Sequence, residues 1–422
     1  MHISVITAAL RALVLSACAA FAMGFASPMQ HFVRAQQPGT RTLLCATDTT
    51  PADGCALRQS LPQTFKAVWA DRVGAGVRDV AVVREMPMRE LQTGEVLVQV
   101  TFAGVNGGCE TFRARGEHWF STNRDAEAGF PLGAEGVGLV ARVGEGVDGL
   151  SVGDAVSFVG GAFAEYVFVH EQRCRKIREA SAASAAARIS GTTAMGAVAY
   201  MGEAKPRQVV LVTAAAGAAG SFAVQIAKRL GCEVVGTCST AAKARLLCGL
   251  GCDTIINHRT RDVGEALAKK YPKGVDLVVE HVGGKMFQTA LEHLKPNGRL
   301  ILVGYISEYP HNRQGVRSTG PGRYPSAEEE SSSHAAYDLA DIFWKQKTVQ
   351  VAGTGQTISG KLYPSMEAAG EAGERVQAWL EEGRLRAVVD AREFKGVDSV
   401  ADAVEYMLSG AASGKVVVRM SE

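Results

Sequence analysis

The chain has 422 residues, of which 47% are hydrophobic and 21% are charged. This composition is typical of globular proteins and excludes a largely disordered chain, and the length corresponds to about two or three domains. Lysine and arginine (45) nearly balance aspartate and glutamate (43), which gives a net charge of +2. So weak a global field argues against nucleic acid as a partner.

The amino-terminal stretch differs in charge from the rest of the chain. No acidic residue precedes Asp48, and residues 12–26 carry no charge at all. This run suits the core of a signal peptide better than a membrane span, which needs about 20 apolar residues. We therefore expect residues 1–61 to be a cleaved presequence that directs the protein to a plastid or a mitochondrion. We expect no stable membrane insertion of the mature chain. A retained anchor and an undirected alanine-rich tail are the alternatives.

Residues 62–190 have the pattern of a small β-barrel domain. Phe65–Trp69 and Glu95–Phe102 are apolar, β-branched runs, and glycines then divide residues 133–161 into short valine-rich segments. Short strands separated by frequent turns are typical of barrels and sandwiches. An alanine-rich helical stretch, 181–202, follows them.

Strands and helices alternate in the second domain, residues 191–344. The predicted strands are 209–213, 233–236, 253–256, 276–280 and 299–303. The predicted helices between them are 221–230, 241–249, 263–270 and 285–294. This alternation predicts an α/β fold with a doubly wound parallel sheet, which binds ligands at the carboxyl ends of its strands.

The last part of the chain is less regular. Residues 307–340 form an insert rich in Ser, Gly and Glu, which is either disordered or a lid over a substrate. Residues 345–422 contain a predicted helix, 399–408, and a predicted strand, 414–420. We expect this segment to return to the first domain and complete it.

A glycine motif follows the first strand of the second domain. Ala214, Gly217 and Gly220 have the A-x-x-G-x-x-G spacing between a strand and a helix. Glycines in this context permit a tight turn and close helix–strand packing, and the amides at the helix start bind a diphosphate. A glycine-rich helix start without a ligand is the alternative, and the strand–turn–helix context favours a dinucleotide.

The residues that follow the second strand indicate which dinucleotide is bound, NADH or NADPH. The strand ends at Ser239 without the acidic residue that usually holds the ribose of NAD. Lys243 follows within a helical turn, and His258 and Arg259 follow the third strand. A hydroxyl and several cations suit a 2′-phosphate, so we expect NADPH. Lys243 alone could equally be a solvated helix charge, and the missing acid favours the phosphate site.

The cysteines do not predict a metal site. None of the nine forms a C-x-x-C pair, so a structural zinc is not expected. Cys109 and His118 could be imagined as catalytic ligands, but a third ligand is missing, because Ala134 stands in its natural place. Without a metal, alcohol oxidation loses its usual stabilisation, whereas reduction of a conjugated C=C bond needs only a few hydrogen bonds to the carbonyl oxygen.

Several ordered motifs resemble one superfamily. Pro131–Gly138 reads P-x-G-x-E-G-x-G, and Gly161–Tyr166 and Ser190–Ala194 match further segments. Together they resemble the zinc-independent quinone- and enone-reductase branch of the medium-chain dehydrogenase/reductase superfamily. The resemblance implies a GroES-like barrel, a Rossmann domain and NADPH-dependent reduction of an α,β-unsaturated ketone, with 15-oxo-prostaglandins among the family substrates. It also implies that Thr192, Ser239, Lys243 and His258 line the cofactor site, and a homodimer by analogy.

Two residues are candidates for the chemistry itself. Asn106, in a loop after a strand, is the candidate polar group beside the nicotinamide, or a turn-forming Asn before Gly. Tyr305, after the last strand of the sheet, is either a donor or an aromatic wall. A quinone reductase and a non-enzymatic NADPH-binding sensor remain the alternatives to an enone reductase, since both share the cofactor residues.

Overall fold

The structure, a computed structural model, describes residues 61–116, 129–309, 337 and 339–421. The predicted presequence apart from Leu61, the imagined ligand His118 and most of the 307–340 insert lie outside the described residues. Within the described residues, no helix combines the length and the apolarity needed to cross a bilayer.

The first domain is built from short antiparallel strands, as the sequence predicts. Its strands are β1 (Thr64–Ala70), β2 (Ala81–Pro87), β3 (Glu95–Gly104), β4 (Phe130–Pro131), β5 (Glu135–Val143), β6 (Ala155–Val159), β7 (Tyr166–His170) and β8 (Cys174–Lys176). Its helices are α1 (Val77–Val80), α2 (Gly107–Ala114) and the 3₁₀ turn Glu171–Arg173. In the order β2-β1-β4, three strands form a small sheet, while β3 pairs with both β5 and β7. Valines and phenylalanines from these strands form the barrel core.

One helical stretch connects the two domains. It consists of α3 (Ala182–Ala186), the π-helical turn Ala187–Gly191, α4 (Thr192–Met195) and the π-helical turn Gly196–Tyr200. Ser181 caps its start by accepting a hydrogen bond from the Ser184 amide. The wide π turns change which side chains face the barrel, a detail that the alanine-rich pattern does not encode.

The second domain is a doubly wound sheet, which confirms the predicted fold class. Its strands are β9 (Val209–Val212), β10 (Glu233–Cys238), β11 (Thr254–Asn257), β12 (Val275–Glu280), β13 (Leu294–Leu302), β14 (Thr348–Gln350) and β15 (Thr357–Ser359). Its helices are α5 (Ala218–Arg229), α6 (Ala241–Gly249), α7 (Val263–Lys270), α8 (Gly284–Glu292) and α9 (Leu339–Trp344). Over the described residues the strand order is β11-β10-β9-β12-β13-β15-β14, and β14 is the antiparallel member. The order reverses between β9 and β12, where doubly wound folds bind their ligands.

The chain returns to the barrel later than the predicted boundary at residue 344. The strands β14 and β15 still belong to the parallel sheet, and α10 (Met366–Glu381) packs on the connecting helical stretch. The return consists of β16 (Phe394–Lys395), the 3₁₀ turn Val397–Ser399, α11 (Val400–Leu408) and β17 (Val417–Arg419). The strand β17 pairs antiparallel with β3, so the carboxyl-terminal segment does complete the barrel sheet.

The two domains meet along the loop that precedes β17. The Gly414 amide donates to the Ala216 carbonyl at 2.7 Å, and the Lys243 ammonium donates to the Gly410 carbonyl at 2.7 Å. The residues after α11 therefore touch both the glycine-rich loop and the start of α6. These contacts place the two halves of the site against each other.

The connecting stretch packs so closely at Gly196 that one added methyl group should destabilise the protein. A Cβ on Gly196 would lie 2.6 Å from Cζ of Tyr363 and 2.7 Å from the Leu362 carbonyl oxygen. We expect Gly196→Ala to lower the free energy of unfolding by about 1–2 kcal/mol, since overpacking outweighs a helix-propensity gain of about 1 kcal/mol. Gly370→Ala is the control, because a Cβ there meets nothing within 4 Å. Urea unfolding of the two variants should show loss at 196 and none at 370, and equal effects would contradict this packing.

Candidate functional site

A cavity of about 650 Å³ lies between the barrel and the carboxyl ends of the parallel strands. One side is formed by the loop 105–109 of the barrel, and the other by the loops that follow β9, β10, β11, β12 and β13. The segment 407–416 closes a further side. The cavity thus reaches from the switch point of the sheet to the polar residues of the barrel.

The loop after β9 forms the floor of the cavity. Ala214 adopts a left-handed φ of 44°, and its amide donates to Thr237 Oγ1 at 3.1 Å. A Cβ on Gly220 would meet the Ala214 carbonyl oxygen at 2.6 Å, so this position needs glycine for helix α5 to pack on β9. The predicted residues Ala214, Gly217 and Gly220 all line the cavity.

Helix α5 presents an uncapped amino terminus to this cavity. Its N-cap is Gly217, which has no side chain to accept from the first amides, and its first turn contains no acidic residue. The partial positive charge of a twelve-residue helix is therefore unopposed where Ala218 and Ala219 line the cavity. Such an end binds a diphosphate.

The far end of the cavity gathers a hydroxyl and three basic side chains. Ser239, Lys243, His258 and Arg259 all line it, and their assignment to a 2′-phosphate stays a prediction. Burial lowers the pKa of Lys243; Asp390 and Cys238 oppose this shift, and the neighbouring Arg259 adds to it. Burial, Arg259 and Lys243 together lower the pKa of His258. A bound anion would offset the repulsion between these positive groups and favour their charged forms.

The barrel side holds a buried polar network around a lysine. Lys415 is 1% exposed and Glu135 is 0% exposed, and they form an ion pair. The Lys415 ammonium also donates to Asn106 Oδ1 at 2.7 Å and to Ser190 Oγ at 3.3 Å. Asn106 Nδ2 donates to Glu135 Oε1 at 2.8 Å, and the Ile189 amide donates to Glu135 Oε2 at 2.6 Å. Asn106 and Ser190 line the cavity, so the network forms its polar wall.

A second buried acid lies next to this wall. Glu110 is 0% exposed, and its Oε1 accepts from the Ala134 amide at 3.1 Å. Burial raises the pKa of Glu110 to about 7 and that of its neighbour Cys109 to about 12, and Cys109 lines the cavity. At neutral pH the thiol is therefore protonated. The sequence analysis did not identify Glu110, because its position on α2 gives no sign that it is buried.

The switch-point loop after β12 is held by a further buried acid. Glu280 accepts from Thr213 Oγ1 at 3.1 Å and from the amides of Val282 and Gly283, and burial raises its pKa to about 7. Beside it, His281 Nδ1 lies 2.9 Å from the Thr213 carbonyl oxygen, which assigns that nitrogen as the donor. Burial lowers the pKa of His281 to about 4, so the ring stays neutral. His281 lines the cavity and was not singled out from the sequence.

Comparison with known proteins identifies the superfamily. Residues 92–179 match the alcohol dehydrogenase GroES-like domain family, and residues 218–318 match the zinc-binding dehydrogenase family. Prostaglandin reductase-3 from Bos taurus is 33% identical over 364 residues, which cover 86% of this chain and 91% of the relative. A probable quinone oxidoreductase from Leishmania amazonensis is 32% identical over 365 residues, 86% of this chain and 99% of the relative.

This chain belongs to the medium-chain dehydrogenase/reductase superfamily. Its relatives place it in the NADPH-dependent, quinone oxidoreductase-like branch, and it is an oxidoreductase. The fold agrees: the crystal structure of Escherichia coli quinone oxidoreductase complexed with NADPH has a TM-score of 0.65 at 21% identity, covering 84% of this chain and 99% of that chain. The resemblance seen in the sequence motifs is confirmed.

Two residues singled out in the sequence analysis, Thr192 from the resemblance and Tyr305 from its position after a strand, are not among the residues that line the cavity. Thr192 turns its hydroxyl to the Arg188 carbonyl at 2.7 Å, and it is Thr193 whose side of the helix faces the cavity. Tyr305 is 1% exposed, and its hydroxyl accepts from Trp344 Nε1 at 3.0 Å inside an aromatic cluster. The aromatic-wall interpretation fits Tyr305 better than the donor. Tyr309, which the sequence analysis passed over, lines the cavity instead.

The zinc in the name of the matched family has no counterpart among the described side chains. Across residues 61–116, 129–309, 337 and 339–421, no three His, Cys, Asp or Glu side chains come together in a way that could hold a metal ion. At the position of the family's histidine ligand stands Ala134, whose amide instead binds Glu110. A zinc-free centre stays a prediction that metal analysis can test.

The raised pKa of Glu110 predicts how stability depends on pH. A carboxyl whose pKa rises from 4.5 to about 7 on folding binds its proton more tightly in the native state. The contribution of Glu110 to stability is therefore full below about pH 4.5 and is lost as the pH rises through about 7. Thermal unfolding from pH 5 to 8 should show a smaller fall for Glu110→Gln than for the wild type, although Glu280 contributes in the same direction.

The control for that measurement is Glu179→Gln, because Glu179 is exposed. It should leave the slope of melting temperature against pH unchanged. If Glu110→Gln and Glu179→Gln gave the same slope as the wild type, Glu110 would not be the buried proton-binding group described above.

Proposed function

We propose that this oxidoreductase reduces the carbon–carbon double bond of α,β-unsaturated ketones with NADPH. The observation that supports this most is that a cationic end, a polar barrel wall and an apolar surface line one and the same cavity. The 33% identical relative named prostaglandin reductase-3 supports the same activity. A bulky, apolar enone is the substrate class proposed.

The residues present fit NADPH. A Cβ on Gly217 would meet only the Ala214 carbonyl oxygen, at 3.2 Å, so the absent side chain leaves a cradle open to the cavity. The uncapped start of α5 would hold the diphosphate there. Ser239, Lys243 and Arg259 would hold the 2′-phosphate. A bound phosphate would also offset the repulsion between the two cations, Lys243 and Arg259.

The substrate end of the cavity is apolar. A Cβ on Gly107 would lie 3.3 Å from Met407 and 3.5 Å from Ile306, so these two side chains surround the barrel loop. Trp344 and Leu362 extend the same lining. Burial of a long hydrocarbon against such a surface contributes about 25 cal/mol per Å².

When bound, NADPH supplies a hydride to an electron-poor carbon. For an enone that carbon is the β-carbon, so the carbonyl oxygen gains negative charge and water supplies a proton to the α-carbon. The protein has to hold the acceptor against the cofactor, exclude bulk water and stabilise the charged oxygen. The polar wall, to which Asn106 and Ser190 belong, lines this cavity and is where we expect that oxygen to be stabilised.

A quinone reductase is the second candidate. The 32% identical relative from Leishmania amazonensis is named a probable quinone oxidoreductase. Quinones also develop negative charge on oxygen during reduction, so the same polar wall would serve both substrates. Only substrate assays separate the two activities.

The nucleotide preference tests the cationic end of the cavity. We expect Lys243→Ala to raise the Kd of NADPH by about 10- to 100-fold, since a hydrogen bond to a charged group contributes about 1.5–3 kcal/mol. The Kd of NADH should change far less, because it lacks the 2′-phosphate. Lys285→Ala, an exposed lysine on α8, is the matched control. Equal losses for NADPH and NADH would contradict the phosphate assignment.

The activity itself is tested with purified protein lacking residues 1–61. NADPH oxidation should be measured with a long-chain enone, the matching saturated ketone, a 1,4-quinone and an aldehyde. We expect turnover of the enone and none of the saturated ketone. Turnover of quinones without enones would replace the proposed function with the second candidate, and tight NADPH binding with no turnover would favour a sensor.

A further inference from the structure

Most hydrogen-bond donors in the polar wall already have partners within the protein. The Lys415 ammonium has three hydrogens, and its three partners are Glu135, Asn106 and Ser190. The groups of the Asn106 amide are also occupied. Oδ1 accepts from Lys415, while Nδ2 donates to Glu135 at 2.8 Å and to the Gly104 carbonyl at 3.4 Å. Neither residue therefore keeps a donor for the cavity.

Ser190 is different, because its hydroxyl has one hydrogen and two lone pairs. Lys415 Nζ has no lone pair, so in the 3.3 Å contact Ser190 Oγ must be the acceptor. Among the described residues, the structure gives this hydroxyl no acceptor for its own hydrogen. Ser190 is 4% exposed and lines the cavity. Its hydroxyl hydrogen is therefore available to a ligand in the cavity.

The network also fixes the hydroxyl in place. A Cβ on Gly104 would lie 2.8 Å from both Glu135 Oε1 and Lys415 Cε, so the backbone of β3 packs directly against the ion pair. Glu135 binds the Ile189 amide, which precedes Ser190 in the same π-helical turn. The strand β5, the connecting helix and the segment before β17 thus converge on one hydroxyl group.

We propose that Ser190 is a catalytic residue that donates a hydrogen bond to the substrate oxygen as it becomes negatively charged, and that Lys415 is the positioning residue that makes Ser190 a donor. This inference rests on the proposed function and names its oxyanion donor. As the hydride forms the new C–H bond at the β-carbon, the C=C electron pair moves toward the oxygen. Ser190 keeps its proton throughout, and the α-carbon takes its proton from water.

The ammonium strengthens this donor. A hydroxyl whose oxygen already accepts from a cation is polarised, so its O–H hydrogen carries more positive charge. Asn106, the residue that the sequence pattern favours for this role, becomes a partner that orients the lysine. The role moves from Asn106 to Ser190 because the structure occupies every donor of the amide.

The test is Ser190→Ala, with Ser184→Ala as its matched control. Ser184 is a buried serine on the same helical stretch whose Oγ lies 3.2 Å from Ser181 Oγ. We expect Ser190→Ala to lower kcat for the enone by about 100-fold, as for other oxyanion donors. Its Kd for NADPH, measured by quenching of protein fluorescence without substrate, should stay within about twofold because the loss is confined to the transition state. Ser184→Ala should change neither quantity.

A further pair of variants separates Ser190 from its surroundings. The double variant Lys415→Met with Glu135→Gln removes both buried charges together, so no unpaired charge is left to unfold the protein. It should lower kcat by less than Ser190→Ala, since the serine remains but is no longer held as a donor. Tyr309→Phe removes another cavity-lining hydroxyl and should lower kcat less than Ser190→Ala.

Each remaining outcome decides against the inference. If Ser190→Ala raised the Kd of NADPH and left kcat unchanged, the hydroxyl would bind the cofactor carboxamide and not the substrate oxygen. If kcat were unchanged and the Kd were too, Ser190 would have no role in the reaction. The same variants are assayed with a 1,4-quinone, so that loss of the proposed enone activity would not remove the test. A protein that turns over neither substrate would contradict both proposals.

Discussion

The buried pair of Glu135 and Lys415 is the contact on which the site depends. Two charges removed from water are costly unless each is fully hydrogen-bonded, and here the remaining bonds go to Asn106, Ser190 and the Ile189 amide. The pair and these partners together belong to the barrel, the connecting helical stretch and the segment before β17. Satisfying one ion pair therefore fixes three parts of the chain, and with them the polar wall of the cavity.

The nucleotide side of the site could be predicted from the sequence because its information is local. A strand, a glycine turn and a helix follow one another within residues 209–229. The spacing of Ala214, Gly217 and Gly220 is typical of this tight turn between a strand and a helix. The missing acid at Ser239 is equally local. The structure brings these residues to one cavity together with Lys243 and His258, as the pattern indicates.

The barrel side could not be predicted in the same way. Glu135 and Lys415 are separated by 280 positions. The motif Pro131–Gly138 contains Glu135, but nothing in the sequence pairs this acid with Lys415. Whether Thr192 or Thr193 faces the cavity depends on the π-helical turn before them, which composition does not reveal. The boundary at residue 344 failed because β14 and β15 are three residues long, too short to give an alternating pattern.

These observations describe a reductase whose cofactor end is set by local sequence and whose substrate end is set by long-range contacts. The most direct test of hydride transfer to the β-carbon uses NADPH carrying deuterium at C4 of the nicotinamide, with an enone as acceptor, and mass spectrometry and NMR of the product. The account predicts one deuterium at the β-carbon and a solvent-derived hydrogen at the α-carbon. Deuterium at the carbonyl carbon, or none in the product, would contradict it.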